Sequence, residues 1–323
     1  MAANHNNQKS SGVIPESIKR GNPLLQEQRK FLDSLPKDVQ ENLFSSQIDA
    51  EKRAEVWGDQ AEIGEELVNK YAWAIPDERA IRIIRHFSPT VEIGCGRNGY
   101  WSKLLKESGV DIIAYDQSPS GGGQIIDKST HRKRSKKNKN DNFVRKGGPN
   151  TLTQKNIRNS GRTLFLCYPD ESFDDENKQT SLGASCLEHF DGDCIIHVGE
   201  LYGDTLSLEQ APWGRSSSAL FQQRLSSEFH CILKVKLQNY LHVRDTISVW
   251  KRSKRCIMIF EGDGDSSDEE LDYRDIPVDE LLPVDVAAPC AMHLLYPDAA
   301  AAPRDHEESS NKTKCTKKNK RKK

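Results

Sequence analysis

Residues 90–116, TVEIGCGRNGYWSKLLKESGVDIIAYD, constrain the fold of this chain most, because they read as strand, glycine turn, helix and a second strand ending in an acid. Val91 and Ile93 are β-branched members of a short apolar run, and Gly94, Gly96 and Gly99 permit a tight turn where a ligand can approach bare backbone. Trp101, Leu104 and Leu105 recur at helical spacing, with Gly109 placed to stop a helix of about ten residues. Ile112, Ile113 and Tyr115 predict a second buried strand ending on Asp116, 20 residues after Gly96.

Such a unit binds adenosine-containing cofactors at the carboxyl ends of its strands, where an acid accepts hydrogen bonds from ribose hydroxyls. The glycines alone satisfy the dinucleotide fingerprint G-x-G-x-x-G, so NAD stays open as the alternative. Glu92 tips the balance: an acid inside the first strand, two residues before the first glycine, is costly unless something cationic or hydrogen-bonding meets it. On these residues the stretch resembles motif I and the acidic second-strand end of class I S-adenosylmethionine-dependent methyltransferases, whose pattern is apolar, apolar, Asp or Glu, apolar, Gly-x-Gly-x-Gly. Here Asn98 stands at the third glycine position and Gly99 follows it. Within that superfamily the chain is similar to an uncharacterised methyltransferase-like group with Trp73-Ala74-Ile75-Pro76 before the motif and an aromatic-Pro turn, Tyr168-Pro169, after the fourth strand.

The resemblance covers about residues 71–260 and implies an α/β fold with a doubly wound seven-stranded sheet. It implies S-adenosylmethionine as cofactor, held by Trp73, Glu92, Gly94, Gly96, Asn98, Gly99, Asp116 and Cys167. It leaves the methyl acceptor open among protein, RNA and small molecules. Two other readings stand beside it: a non-catalytic scaffold that keeps the fold for binding, and an NAD-dependent oxidoreductase.

Composition bounds the remainder. With 29% charged residues and a mean hydropathy of -0.73, the chain of 323 residues can bury one good-sized core but must also carry long polar segments. There is no run of about 18 apolar residues and the first residues lack a leader's basic and apolar regions, so no membrane partner is expected and a cytoplasmic or nuclear location is. Eight cysteines are scattered, several in apolar runs, as in a reduced compartment. The net charge of -1 hides an asymmetry: 128–139 holds seven Lys/Arg and 311–323 holds eight, neither with an acid. Without these fifteen, 32 bases face 48 acids, so any grip on nucleic acid would come from the two basic segments.

In chain order, 1–22 reads as disordered and 23–70 as a helical extension, with Pro36 in a first turn and a break between Trp57 and Ile63. Residues 71–260 form the methyltransferase-like domain, interrupted at 120–141 by a basic low-complexity insertion. Strands are predicted at 142–144, 163–167, 194–198, 231–237 and 246–260, the last two antiparallel, with helices at 181–190 and 219–229. Leu220, Phe221, Leu225 and Phe229 are the expected buried face of the second of these helices. An acidic loop and strap, 261–297, and a disordered basic tail, 298–323, complete the chain. Asp263, Asp265 and Glu269 lack the spacing of a calcium loop.

The expected chemistry sits after the fourth strand. Amino-group methyltransferases of the resembling fold hold their target with an Asn/Asp-Pro-Pro-aromatic turn, and here Cys167, Tyr168, a single Pro169 and Asp170 take that place. Tyr168 offers a ring face, and Asp170 or Glu200 a carboxylate to orient or deprotonate a nucleophile. The long segment 199–218, containing Trp213 and Arg215, is a candidate wall of the acceptor pocket. Tyr71 and Trp73 are candidate lids. Cys186, His189, Cys194 and His197 have zinc-like pair spacings, but Cys194 and His197 lie three apart in a strand and so point to opposite faces; no metal is expected.

Overall fold

A computed structural model describes residues 21–43, 47–119, 143–170, 181–207, 209, 211–253, 280–283, 285 and 286. The expectations for 1–20, the basic insertion, the acidic segment with Asp263, Asp265 and Glu269, and the tail fall outside these residues.

Three helices precede the sheet. Helix α1 (Pro23–Ser34) starts at Asn22, whose side chain accepts from Leu25 N and whose amide donates to Pro76 O at 2.5 Å. Asn22 is 1% exposed, so order begins before the expected boundary. Helix α2 is Lys37–Asn42, with Pro36 at its N-cap. Helix α3 (Ala50–Lys70) runs unbroken through the interruption expected near Trp57. Its buried stripe is Val56, Gln60, Gly64 and Leu67, and two of these four do not register as hydrophobic. Gln60 is held there by side-chain bonds with Gln28 and with the amide of Leu241.

Helix α4 (Glu78–His86) is capped by Asp77, which accepts from Ala80 N at 2.7 Å, and ends in Arg85 and His86, as the helix dipole favours. It leads into β1 (Thr90–Ile93), α5 (Tyr100–Glu107), β2 (Ile112–Asp116) and β3 (Val144–Lys146). After a short 3₁₀ turn come α6 (Lys155–Arg158), β4 (Thr163–Cys167), α7 (Leu182–His189), β5 (Cys194–Gly199), α8 (Ala219–Glu228), β6 (Phe229–Lys236) and β7 (Thr246–Arg252).

The strands form one sheet in the order β3-β2-β1-β4-β5-β7-β6. β1 to β5 pair in parallel, and β7 pairs antiparallel with both β5 and β6. The doubly wound seven-stranded α/β sheet is therefore present, with one refinement. Only β7 opposes the other strands; β6, expected to be antiparallel as well, runs with the first five.

Alternation along the strands divides the core between two faces. Phe165, Ile196, Val198 and Val249 pack with Ile81 and Ile84 of α4 and Trp101, Leu104 and Leu105 of α5. Val91, Ile93, Leu164, Leu166 and Ile195 pack with Cys186 and Leu187 of α7 and Phe221 and Leu225 of α8. Leu220 is 49% exposed, because its neighbour Phe221 takes the inward position and one residue of helix turns the next away. Leu282 and Val286, within the segment expected as a strap, are buried in the first of these cores. Among the described residues no helix is long and apolar enough to cross a membrane.

His197, in the middle of β5, is fully buried against Phe221, and neither ring nitrogen has a hydrogen-bond partner. Burial pushes the imidazole down to about 3. An unfolded chain with an ordinary imidazole binds a proton below about 6.5 that the folded one refuses down to about 3, so stability falls as pH drops through that window. The loss is on the order of 5 kcal/mol across the window. Urea titrations at pH 7 and pH 4 should show a smaller acid loss for His197→Leu than for the parent, and equal losses would remove His197 as the cause.

Candidate functional site

The strand order reverses between β1 and β4, and in such sheets ligands bind outside the carboxyl ends at that reversal. A cleft of about 2020 Å³ lies there. The turn after β1, the ends of β2 and β4, the glycines after β3, the last turn of α3 and α7 all contribute to its lining.

The glycine turn is tied to β2: Gly94 N and Cys95 N both donate to Tyr115 O, at 2.9 and 3.2 Å. Gly94 and Gly96 have φ of 76° and 72°, the left-handed region where a side chain is strained. A Cβ at Gly96 would meet nothing nearer than Asn98 Oδ1 at 4.0 Å, so the backbone faces open space. Gly99 does not line the cleft. It precedes α5 at φ 58°, and a Cβ there would stand 2.5 Å from Val144 Cγ2, so packing of the turn against β3 accounts for this glycine. Asn98 lines the cleft, but its amide donates to Lys70 O and Tyr71 O at 3.1 and 2.8 Å. It clamps the end of α3 to the turn.

Between Val91 and Ile93, which face α7 and α8, Glu92 alternates to the α5 side and meets the hydroxyl of Ser102. It lines the cleft at 1% exposure. Burial raises its carboxyl to about 8, the Ser102 hydrogen bond opposing and the charge of Asp116 adding to the rise. Asp116, one strand over, also lines the cleft, and its Oδ1 accepts from Ser118 N at 2.7 Å. The site thus presents two acids on neighbouring strand ends, one of them held largely uncharged near neutrality.

Cys167 lines the cleft at the end of β4, its thiol raised well above the usual range by burial, with the charges of Glu92 and Asp245 adding. Tyr168 follows with φ 51°, the one non-glycine residue of positive φ among the described residues. Its ring stacks on Trp73, with centroids 5.9 Å apart and planes at 16°. Its hydroxyl donates to Asp245 Oδ1 at 2.7 Å. Asp245 is 1% exposed and its Oδ2 has no hydrogen-bond partner; burial raises its carboxyl to about 7, with Tyr168 and Arg215 opposing and Glu200 adding. Nothing in the sequence singles out Asp245, because its partner lies 77 residues away.

The two expected catalytic carboxylates, Asp170 and Glu200, lie outside the lining. Asp170 receives Ser181 Oγ at 2.8 Å, Ser218 N at 2.9 Å and Gly183 N at 3.4 Å, which ties together the first turns of α7 and α8. Its place is that of an anion at two helix N-termini. Glu200 is 1% exposed and accepts from Arg215 N and Arg244 N, bracing the loop after β5 against the β6–β7 connection. Trp213 is also outside the lining, edge-on to Tyr202, while its neighbour Arg215 reaches the Trp73 ring. Trp73 and Tyr71 do line the cleft, and Trp101 Nε1 donates to Ala74 O at 3.0 Å, fixing the segment between them and α4. Of the zinc-like set, Cys194 and His197 face opposite sides of β5. Among the described residues no group of three or more His, Cys, Asp and Glu is placed to hold a metal.

No protein-family model matches the chain, and no curated protein matches it. Among solved structures, the chain is similar to CalO1, a methyltransferase in calicheamicin biosynthesis whose crystal structure is an SAH-bound form. The identity is 10%, the TM-score 0.30, and the overlap covers 77% of this chain and 74% of that one, which is too loose a likeness to bear on chemistry.

Proposed function

We propose that the cleft binds S-adenosylmethionine and that the protein transfers its methyl group to an acceptor held near Tyr168. The observation that carries this is the pairing of Glu92 with Asp116 in one cleft. The Asp116 charge disfavours a pyrophosphate, and the pair suits a ligand with ribose hydroxyls and a cationic end that would draw the proton off Glu92. The glycine turn speaks the same way: Gly94 N and Cys95 N are engaged by Tyr115 O, so a dinucleotide's phosphates would find neither amide free.

When bound, S-adenosylmethionine supplies an electrophilic methyl group for in-line displacement. The chain's own part is positioning. Glu92, backed by Ser102, would meet the cofactor's cationic end; Asp116 would accept from ribose hydroxyls; Gly96 lets a ligand lie close to the backbone. Trp73 and Tyr168 wall the far side against water, and Asp245 holds the Tyr168 ring in place through its hydroxyl. The acceptor is a protein, an RNA or a small molecule. A second reading, a scaffold that binds without turnover, draws support from the internal engagement of Asp170 and Glu200.

Calorimetric titration with S-adenosylhomocysteine and with NAD should show binding of the first alone. Asp116→Ala removes charge-assisted hydrogen bonds worth about 1.5–3 kcal/mol each and should weaken binding at least about tenfold. Unchanged affinity in a folded Asp116→Ala protein would place the cofactor elsewhere. A scaffold would bind S-adenosylhomocysteine yet methylate nothing in a lysate screen.

A further inference from the structure

Just beyond the Tyr168 end of the cleft stands a cation that forms no ion pair among the described residues. Arg215 belongs to the connection between β5 and α8, and hydrogen bonds hold the residues around it in place. Its own amide donates to Glu200 Oε2 at 3.2 Å, the next residue's Ser216 Oγ donates to Glu200 O at 2.9 Å, and Gln222 Nε2 donates to Trp213 O at 2.7 Å. From this base the Arg215 guanidinium reaches over the Trp73 indole, 5.6 Å from the ring centroid. Trp73 lines the cleft and carries the Tyr168 stack, so Arg215 stands at the cleft's Tyr168 end, just beyond its lining.

Among the described residues Arg215 makes no salt bridge. Neither nearby acid pairs with it, although Asp245 Oδ2 has no hydrogen-bond partner of its own. Both oxygens of Glu200 accept backbone amides, and Asp245 is buried with Oδ1 on the Tyr168 hydroxyl. Beside the larger effect of burial, the Arg215 charge acts to lower the pKa values of Tyr168, Asp245 and His242. An indole occupies a face of a guanidinium, whereas anions are bound by its N–H edge, so the contact with Trp73 orients the side chain and leaves its donors available.

We propose that Arg215 is the anion-recognising residue of the acceptor subsite, and that the methyl acceptor carries a carboxylate or phosphate group. This rests on the methyl-transfer reading for the word acceptor, and on Arg215's own surroundings for the charge. Among the described residues the Lys and Arg side chains that do line the cleft, Lys70, Arg97 and Lys103, come from α3, the glycine turn and α5.

The test is ligand-observed NMR on the full-length protein saturated with S-adenosylhomocysteine, using benzoate, phenyl phosphate and the neutral benzamide as probes. The two anions distinguish carboxylate from phosphate, and benzamide reports the aromatic wall alone. At least one anion should bind about tenfold more tightly than benzamide. That preference should vanish in Arg215→Gln and survive in part in Arg215→Lys, with S-adenosylhomocysteine affinity unchanged in both. Equal binding of benzamide, no anion binding by the parent, or a preference retained in Arg215→Gln overturns the assignment. So does an Arg215→Gln protein that instead loses S-adenosylhomocysteine, since Arg215 would then serve the cofactor. A parent that takes no S-adenosylhomocysteine at all sinks the methyl-transfer reading, while the anion comparison in the cofactor-free protein still decides Arg215.

Discussion

Glu92→Gln should make the ligand-free protein more stable than its parent at pH 9 while weakening S-adenosylhomocysteine binding at least about tenfold. The folded carboxyl sits at about 8, against 4.5 for an ordinary glutamate, so the folded state holds a proton that the unfolded chain has already released. Stability from this group is present at pH below about 4.5 and is lost as pH rises through 8. The full loss is on the order of 5 kcal/mol. Glutamine keeps the shape and a hydrogen bond to Ser102 but has no proton to lose, so it escapes that penalty and forfeits the charge a cationic ligand would meet. Urea titrations of both proteins at pH 5 and pH 9 test the first half: the variant's advantage should be small at pH 5 and large at pH 9. A parent just as stable at pH 9 would mean that Glu92 ionises freely. Asp245, raised to about 7, pushes the parent in the same direction.

Asp170→Ala should cost about 3 kcal/mol or more of stability and leave turnover per folded molecule unaltered. The substitution strips a charge-assisted partner from the Ser181 hydroxyl and the Ser218 amide, and a weaker one from the Gly183 amide, at the starts of two helices. Ser218 Oγ also donates to Ser181 Oγ at 2.8 Å, so the loss propagates along one chain of hydrogen bonds. Asp170→Asn keeps an accepting oxygen and should recover part of the loss. Denaturant midpoints measure the stability, and methyl transfer corrected for folded fraction measures the rest. A stable Asp170→Ala protein with lost turnover would return this carboxylate to the chemistry.

The first β-α-β unit was legible because its signals are local. Strand, turn and helix each declare themselves within a few residues, and Glu92, Gly94, Gly96 and Asp116 are brought together by sheet pairing that follows from them. The Tyr168 end of the cleft was not, because what decides it is the direction of backbone and side chain rather than residue type. Left-handed φ at Tyr168 accompanies a turn in which Asp170 goes to the helix starts instead of the cleft, and no composition rule predicts that. Asp245 becomes visible only when β7 lies beside β5. Helix α3 was read as broken because Gln60 and Gly64 occupy buried positions on behalf of partners in α1 and the β6–β7 connection.

The placement of β7 sets the order in which this protein can assemble on the ribosome. β6 emerges first, yet among the described strands its partner in the sheet is β7, which also supplies the outer partner of β5. A nascent chain that has reached the end of β6 therefore holds two unpaired strand edges, and unpaired edges invite pairing with other chains. Asp245, the acceptor of the Tyr168 hydroxyl, directly precedes the seven residues of β7, so the pairing of that strand beside β5 is what fixes it in place. Closure of the sheet and completion of the cleft are then a single late event, and a stalled chain one strand short is exposed to aggregation and unfinished at its site together.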